Sequence, residues 1–223
     1  MTGTIYRDLG KTIPILLILF SIFSSERLIS QTFDASIKTG INWSQMSDLE
    51  EGLNRPGLVF SANLSYTAEE KPMKWNLGLL YRESGLTENF QFLPRRNLAG
   101  IELQWIELPL SMSFLDWEAE HRGGFSYHKM HYSFGVSPAR LLSIKLTDYS
   151  PAPDFSDDEI KDAFRDYNLN WFLGISFFPH PNWSFNLEFS RSVFSLTTER
   201  RGKKVGIENT RQSLFTTSIG FHL

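Results

Sequence analysis

The sequence predicts an all-β fold, an eight-stranded antiparallel up-and-down barrel. Three observations predict it. Apolar residues recur at every second position in eight segments, the connections alternate long and short, and the eighth segment ends at Leu223. Eight such strands joined as hairpins can close into a small barrel without a free edge.

The segments read in order. The first places Phe33, Ala35, Ile37, Thr39, Ile41 and Trp43 on one face and Asp34, Ser36, Lys38, Gly40 and Asn42 on the other. The second shows Leu58, Phe60, Ala62, Leu64 and Tyr66, and a tight turn at 67–72 leads to Met73, Trp75, Leu77, Leu79 and Tyr81. The fourth begins as Ile101, Leu103, Trp105 and shifts phase to Ile106, Leu108, Leu110, Met112, Phe114, which predicts a β-bulge near Pro109. The fifth carries Met130, Tyr132, Phe134 and Val136, followed by a long connection at about 138–167. Leu169 to Phe177, Trp183 to Phe189 and Phe215 to Leu223 complete the set.

Composition narrows the function classes. Cysteine is absent, which removes disulfides, thiolate metal sites, a cysteine nucleophile and a lipoprotein anchor. Arg7 and Lys11 precede an eleven-residue apolar run, Ile13–Phe23, too short to span a membrane as a helix. Residues 1–30 therefore read as a signal peptide cleaved after Ser30, with an uncleaved anchor as the rival, and 31–223 as the mature domain. Without 1–30 the chain has 19 Lys and Arg against 23 Asp and Glu, a balance that offers nothing to nucleic acid.

The two faces decide the solvent. A soluble barrel of the lipocalin type would show Lys, Glu and Thr outside and apolar residues inside. Here the polar face is mainly Ser, Asn and Gly with a few charges of both signs, suited to a cramped lumen, whereas the apolar face has almost no mid-strand charge and is aromatic towards its ends. That pattern predicts a transmembrane barrel of the outer membrane, in contact with lipid and lipopolysaccharide. Loops 44–56, 83–100, 138–167 and 195–212 would be extracellular, and the turns at 67–72, 115–127 and 179–182 periplasmic.

Four runs stand out: WIELPLSMSF (Trp105–Phe114), YSFGVSPARLLS (Tyr132–Ser143), DYNLNWFLGISFF (Asp166–Phe178) and NWSFNLEFSRS (Asn182–Ser192). Together they resemble the PorT-like outer-membrane β-barrel domain family of Gram-negative bacteria. The resemblance implies the same fold and location, and a link to secretion for some members. It implies no activity, and Leu223 departs from the usual aromatic last residue.

Three constellations are candidate sites. Asp34, Lys38, Lys74, Arg82, Glu102, Glu107, Lys129 and Glu188 fall on the polar face, and such charges in a narrow lumen are expected to pair. A salt-bridged core is favoured over an ion path. In the long loop, Ser156 and Glu159 form a capping box, and Ile160, Ala163, Phe164 and Tyr167 share one face of a predicted short helix at 157–166. That helix covers its own barrel mouth or docks a partner protein of the outer membrane or periplasm. Arg200, Arg201, Lys203 and Lys204 form a basic run suited to lipopolysaccharide phosphates, or simply solvated. No GxSxG, HExxH or EF-hand pattern occurs, so no enzyme, metal or cofactor is expected. The expected role is a non-enzymatic structural or accessory barrel; the alternative is a small channel or carrier.

Overall fold

The computed structural model describes residues 32–46, 55–67, 72–86, 90–92, 96–98, 100–121, 123–124, 126–147, 158, 161–198 and 210–223. The predicted signal peptide lies outside them. The strands are β1 (Thr32–Met46), β2 (Arg55–Thr67), β3 (Met73–Leu86), β4 (Phe90–Phe92), β5 (Arg96–Leu98), β6 (Gly100–Glu107), β7 (Leu110–Glu120), β8 (Ser126–Thr147), β9 (Tyr167–His180), β10 (Trp183–Ser192) and β11 (Gln212–His222). β4 and β5 form a separate hairpin. The other nine make one antiparallel sheet that closes on itself where β1 meets β11, with Thr39 opposite Ile219. β6 and β7 are consecutive pieces of one stave, both paired with β3 and β8, so the wall is an eight-staved closed barrel.

Period-two alternation holds around the wall. Ile37, Leu77, Leu173 and Leu187 stand exposed on the outside, each near half of its full accessibility. Ser36, Ser61, Ser65, Ser111, Ser113, Ser137 and Ser190 are buried inside. Glycine allows the closest approach of neighbouring staves: a Cβ on Gly40 would lie 2.0 Å from the Thr217 carbonyl oxygen. Aromatic pairs sit towards both rims on the outer face. Phe33 with Tyr66 and Trp183 with Phe221 lie at the short-turn end, and Trp43 with Phe215 and Trp171 with Phe189 lie towards the long-loop end. Phe33 to Trp43 is about 33 Å along a strand, or about 23 Å of height at a tilt near 45°.

The fourth stave corrects the expected bulge. Glu107 lies opposite Leu80 and Leu110 opposite Leu77, so the register along β3 does not slip across Pro109. Glu107 opposite Ala139 and Leu110 opposite Val136 give the same result along β8. Ile101, Leu103, Trp105, Glu107, Ser111 and Ser113 all face inward. The apolar pattern shifts phase because the interior changes from apolar to polar, not because the chain gains a residue. Pro109 interrupts the stave for want of an amide, while its carbonyl accepts from Gly78 at 2.9 Å. The actual slip is on β8: Gln104 opposes Ser143 and Trp105 opposes Leu141, which leaves Leu142 unmatched. Leu141 before it and Ile144 and Leu146 after it all pack on the interior, as only a one-residue bulge permits.

Candidate functional site

The lower part of the lumen is a polar core. β3, β6 and β10 bring Arg82, Glu107 and Glu188 together. Arg82 Nη2 lies 2.9 Å from Glu188 Oε1, its Nε lies 3.5 Å from Glu107 Oε1, and its Nη1 donates to Ser190 Oγ at 2.7 Å. Arg82 and Glu107 are each only 2% exposed, so the charges are offset by one another and not by bulk water. Lys74 donates to Asp34, across from β3 to β1. Lys38 forms no direct ion pair among the described residues. It lines a chamber of about 90 Å³ together with Lys74, Arg82, Glu107, Glu188 and His131. Arg82 serves two carboxylates and leaves one negative charge over, which Lys38 balances across the chamber. Ser137 Oγ, Asn186 Oδ1 and Thr216 Oγ1 are buried without a protein hydrogen-bond partner, a usual sign of places where internal water binds.

Two predicted members of the lumen set lie elsewhere. Glu102 alternates with buried Ile101 and Leu103 and therefore faces outward, where it meets Arg55 at 2.9 Å and Lys145 at 3.0 Å. Its misplacement follows from the bulge wrongly expected in its strand. Lys129 sits at the short-turn end with its ammonium 5.3 Å from the centre of the Trp117 ring. Arg55 and Lys145 were missed because both fall in segments read as loops, which the strands in fact extend into.

Above this core the interior turns apolar. Met46, Leu86, Ile101, Leu103, Trp105 and Ala139 line the barrel mouth, and Ala163, Phe164 and Leu196 fill it from two loops. Backbone bonds hold this roof in place. Arg165 N donates to Leu196 O at 2.8 Å, Thr198 N to Ala163 O at 2.9 Å, and Leu196 N to Thr210 O at 2.7 Å. Of the expected loop helix, the described residues show a turn in which Asp162 N donates to Asp158 O at 2.8 Å. Ala163 and Phe164 are buried in the roof, whereas Tyr167 opens β9 and is exposed on the wall, 5.8 Å from the Arg140 guanidinium. The shared helical face therefore splits where the period of two begins. Ile160, Arg200, Arg201, Lys203 and Lys204 lie outside the described residues.

At the same height the outer wall turns polar. Tyr81 OH donates to Glu83 Oε1 at 2.9 Å, and Gln104 Nε2 to Glu102 Oε1 at 2.9 Å, close to Lys145. The barrel thus has two zones of opposite polarity. It is apolar outside and polar inside below; above, the outer wall is polar on β3, β6 and β8, and the interior adds an apolar cluster to buried Ser44, Ser84 and Gln212.

The floor holds a contact that strand reading missed. Ser184 Oγ lies 3.0 Å from His222 Nε2, and His222 Nδ1 lies 3.7 Å from Asp34 Oδ2. The order serine, histidine, carboxylate is that of an activated nucleophile. Ser184 is nevertheless fully buried, Asn186 Nδ2 donates to its hydroxyl at 3.2 Å, and Lys74 already holds Asp34. The His131, Phe178 and His222 rings pack in a row beside it, with centres 4.2 and 4.8 Å apart. In the sequence, Ser184 and His222 are remote, and only the register of β10 against β11 joins them.

No protein-family model and no curated protein matches this chain. Among solved structures, the attachment invasion locus protein Ail of Yersinia pestis is similar over 85% of this chain and 98% of its own, at 10% identity and a TM-score of 0.43. The outer membrane protein OprG of Pseudomonas aeruginosa is similar over 86% of this chain and 97% of its own, at 13% identity and a TM-score of 0.40. A de novo designed transmembrane β-barrel follows, at 7% identity and a TM-score of 0.37, over 85% of this chain and 95% of its own. No residue role passes from them to this chain.

Proposed function

We propose that the protein is an integral outer-membrane barrel with a closed lumen, serving as a structural or accessory component and not as a catalyst or open pore. The opposite polarity of the two zones carries this reading. The lower zone, with exposed leucine and isoleucine outside and paired charges inside, suits lipid, and the upper zone suits water. Export through residues 1–30 and kinship with PorT-like barrels fit the same reading, which rests there on the sequence motifs alone. The chamber of about 90 Å³ is far below the roughly 300–1,000 Å³ of small-molecule sites, and the apolar roof closes the path above it.

Conductance of the purified protein in planar bilayers tests this. A flat baseline is expected, and steady, reproducible openings would favour the channel. Among the described residues the Ser184–His222 contact gives the catalytic reading its only foothold, and burial of Ser184 weighs against it. Release or transfer of acyl chains from labelled lipopolysaccharide, abolished by Ser184→Ala, would decide for an enzyme.

A further inference from the structure

β7 and β8 run on past the barrel at the short-turn end. β3 pairs with β7 only as far as Met73 opposite Phe114, and β9 pairs with β8 only as far as Phe177 opposite Met130. Beyond those points, among the described residues, Glu118 and His128, Ala119 and Tyr127, and Glu120 and Ser126 pair only with one another. The β8 side leans on the next turn: Tyr127 OH donates to Pro179 O at 3.4 Å, and the His121 and His180 rings lie 5.1 Å apart. On the β7 side, the last bond to the wall among the described residues is Leu115 N to Pro72 O at 2.8 Å. Among the described residues nothing pairs with the edge from Asp116 to Glu120.

That edge carries a marked side chain. Trp117 has φ of 55° and is 59% exposed. A bulky residue in the left-handed region is a conformational outlier. Asp116 Oδ1 accepts from Trp117 N at 2.7 Å and helps to hold it. Lys129 sits over the indole, while Asp116, Glu118 and Glu120 are exposed and make no ion pair among the described residues. An open strand edge is a template for another strand. Three carboxylates on it repel a second copy of the same edge and attract a basic one.

We propose that the β7 edge at 116–120 docks an extended, basic segment of another polypeptide as an added strand, with Trp117 as its anchor. So short an addition gives a transient contact, not a permanent interface. The proposal rests on the membrane reading only for its compartment, the periplasm, where it supplies the accessory role with a partner.

The test uses the purified full-length barrel in detergent micelles, where the membrane reading plays no part. The probe is an immobilised short peptide of alternating lysine and valine. The control has the same sequence, N-methylated at alternate residues so that charge is kept and strand pairing is lost. The unmethylated peptide should bind about two- to tenfold more tightly, the worth of one net main-chain hydrogen bond. Glu118→Lys with Glu120→Lys should abolish that binding. Trp117→Gly, which suits the left-handed backbone, should weaken it with the hairpin retained. Equal binding of the two peptides, no binding of either, or binding indifferent to charge reversal would overturn the proposal.

Discussion

Replacing Arg82 by methionine should be among the most damaging single changes in the lumen, and a second change should repair it. In the native barrel Lys38, Lys74 and Arg82 face Asp34, Glu107 and Glu188, three cations against three anions. Arg82→Met deletes the only direct cation, among the described residues, on two carboxylates, one of them 2% exposed. Breaking a buried pair from one side costs about 3–5 kcal/mol, most of it from the stranded charge. Adding Glu107→Gln restores the charge count and leaves an amide that can bond Ser or Asn neighbours. The double variant should therefore recover about 1–3 kcal/mol, and the two effects should be far from additive. Urea unfolding in micelles, followed by tryptophan fluorescence and by the gel shift between folded and unfolded barrel, measures both. A cost below about 1 kcal/mol for the single variant, or a double variant less stable than the single, would refute a charge-balanced lumen.

Other outcomes follow from the two zones. Leu77→Arg and Leu187→Arg put a charge in the apolar belt and should each cost about 2–4 kcal/mol in lipid; stability unchanged in vesicles would mean the faces are misassigned. Phe164→Ala empties the roof at a cost of about 3–5 kcal/mol and should raise conductance noise while co-purifying proteins stay the same; loss of a specific partner would restore a docking role to that loop. Cysteines placed singly at Asp158 and Lys161 should react with an impermeant thiol reagent on whole cells, and one at Gly124 should not. Labelling of Gly124 alone would reverse the orientation.

The wall was legible because period-two alternation survives any single misreading, and each of the eight predicted segments is a stave. Strand ends were less so. Leu141, Ile144 and Leu146 look like loop because a bulge at Leu142 breaks their alternation, and Met46 and Leu86 lie where polar loop was expected. The fourth segment misled for a physical reason: Leu103 and Trp105 are apolar yet face inward, since the solvent changes sides partway up the barrel. Pairing of Arg82 with Glu107 and Glu188 needed only facing and charge, whereas the Ser184–His222 contact and the free edge at Trp117 depend on register and on one backbone angle.

The aromatic rims of the outer wall also act as a ruler. From Phe33 to Trp43 the apolar height is about 23 Å, and a thicker bilayer would be matched by thinning the lipid around the wall, by snorkelling of flanking residues or by oligomerising. Mismatch costs a fraction of a kcal/mol per ångström, so transfer to a membrane of ordinary hydrocarbon thickness, near 30 Å, would penalise the barrel by a few kcal/mol. The bacterial outer membrane is thinner than average. A barrel of this apolar height is therefore matched to a thin bilayer, without any receptor having to read an address.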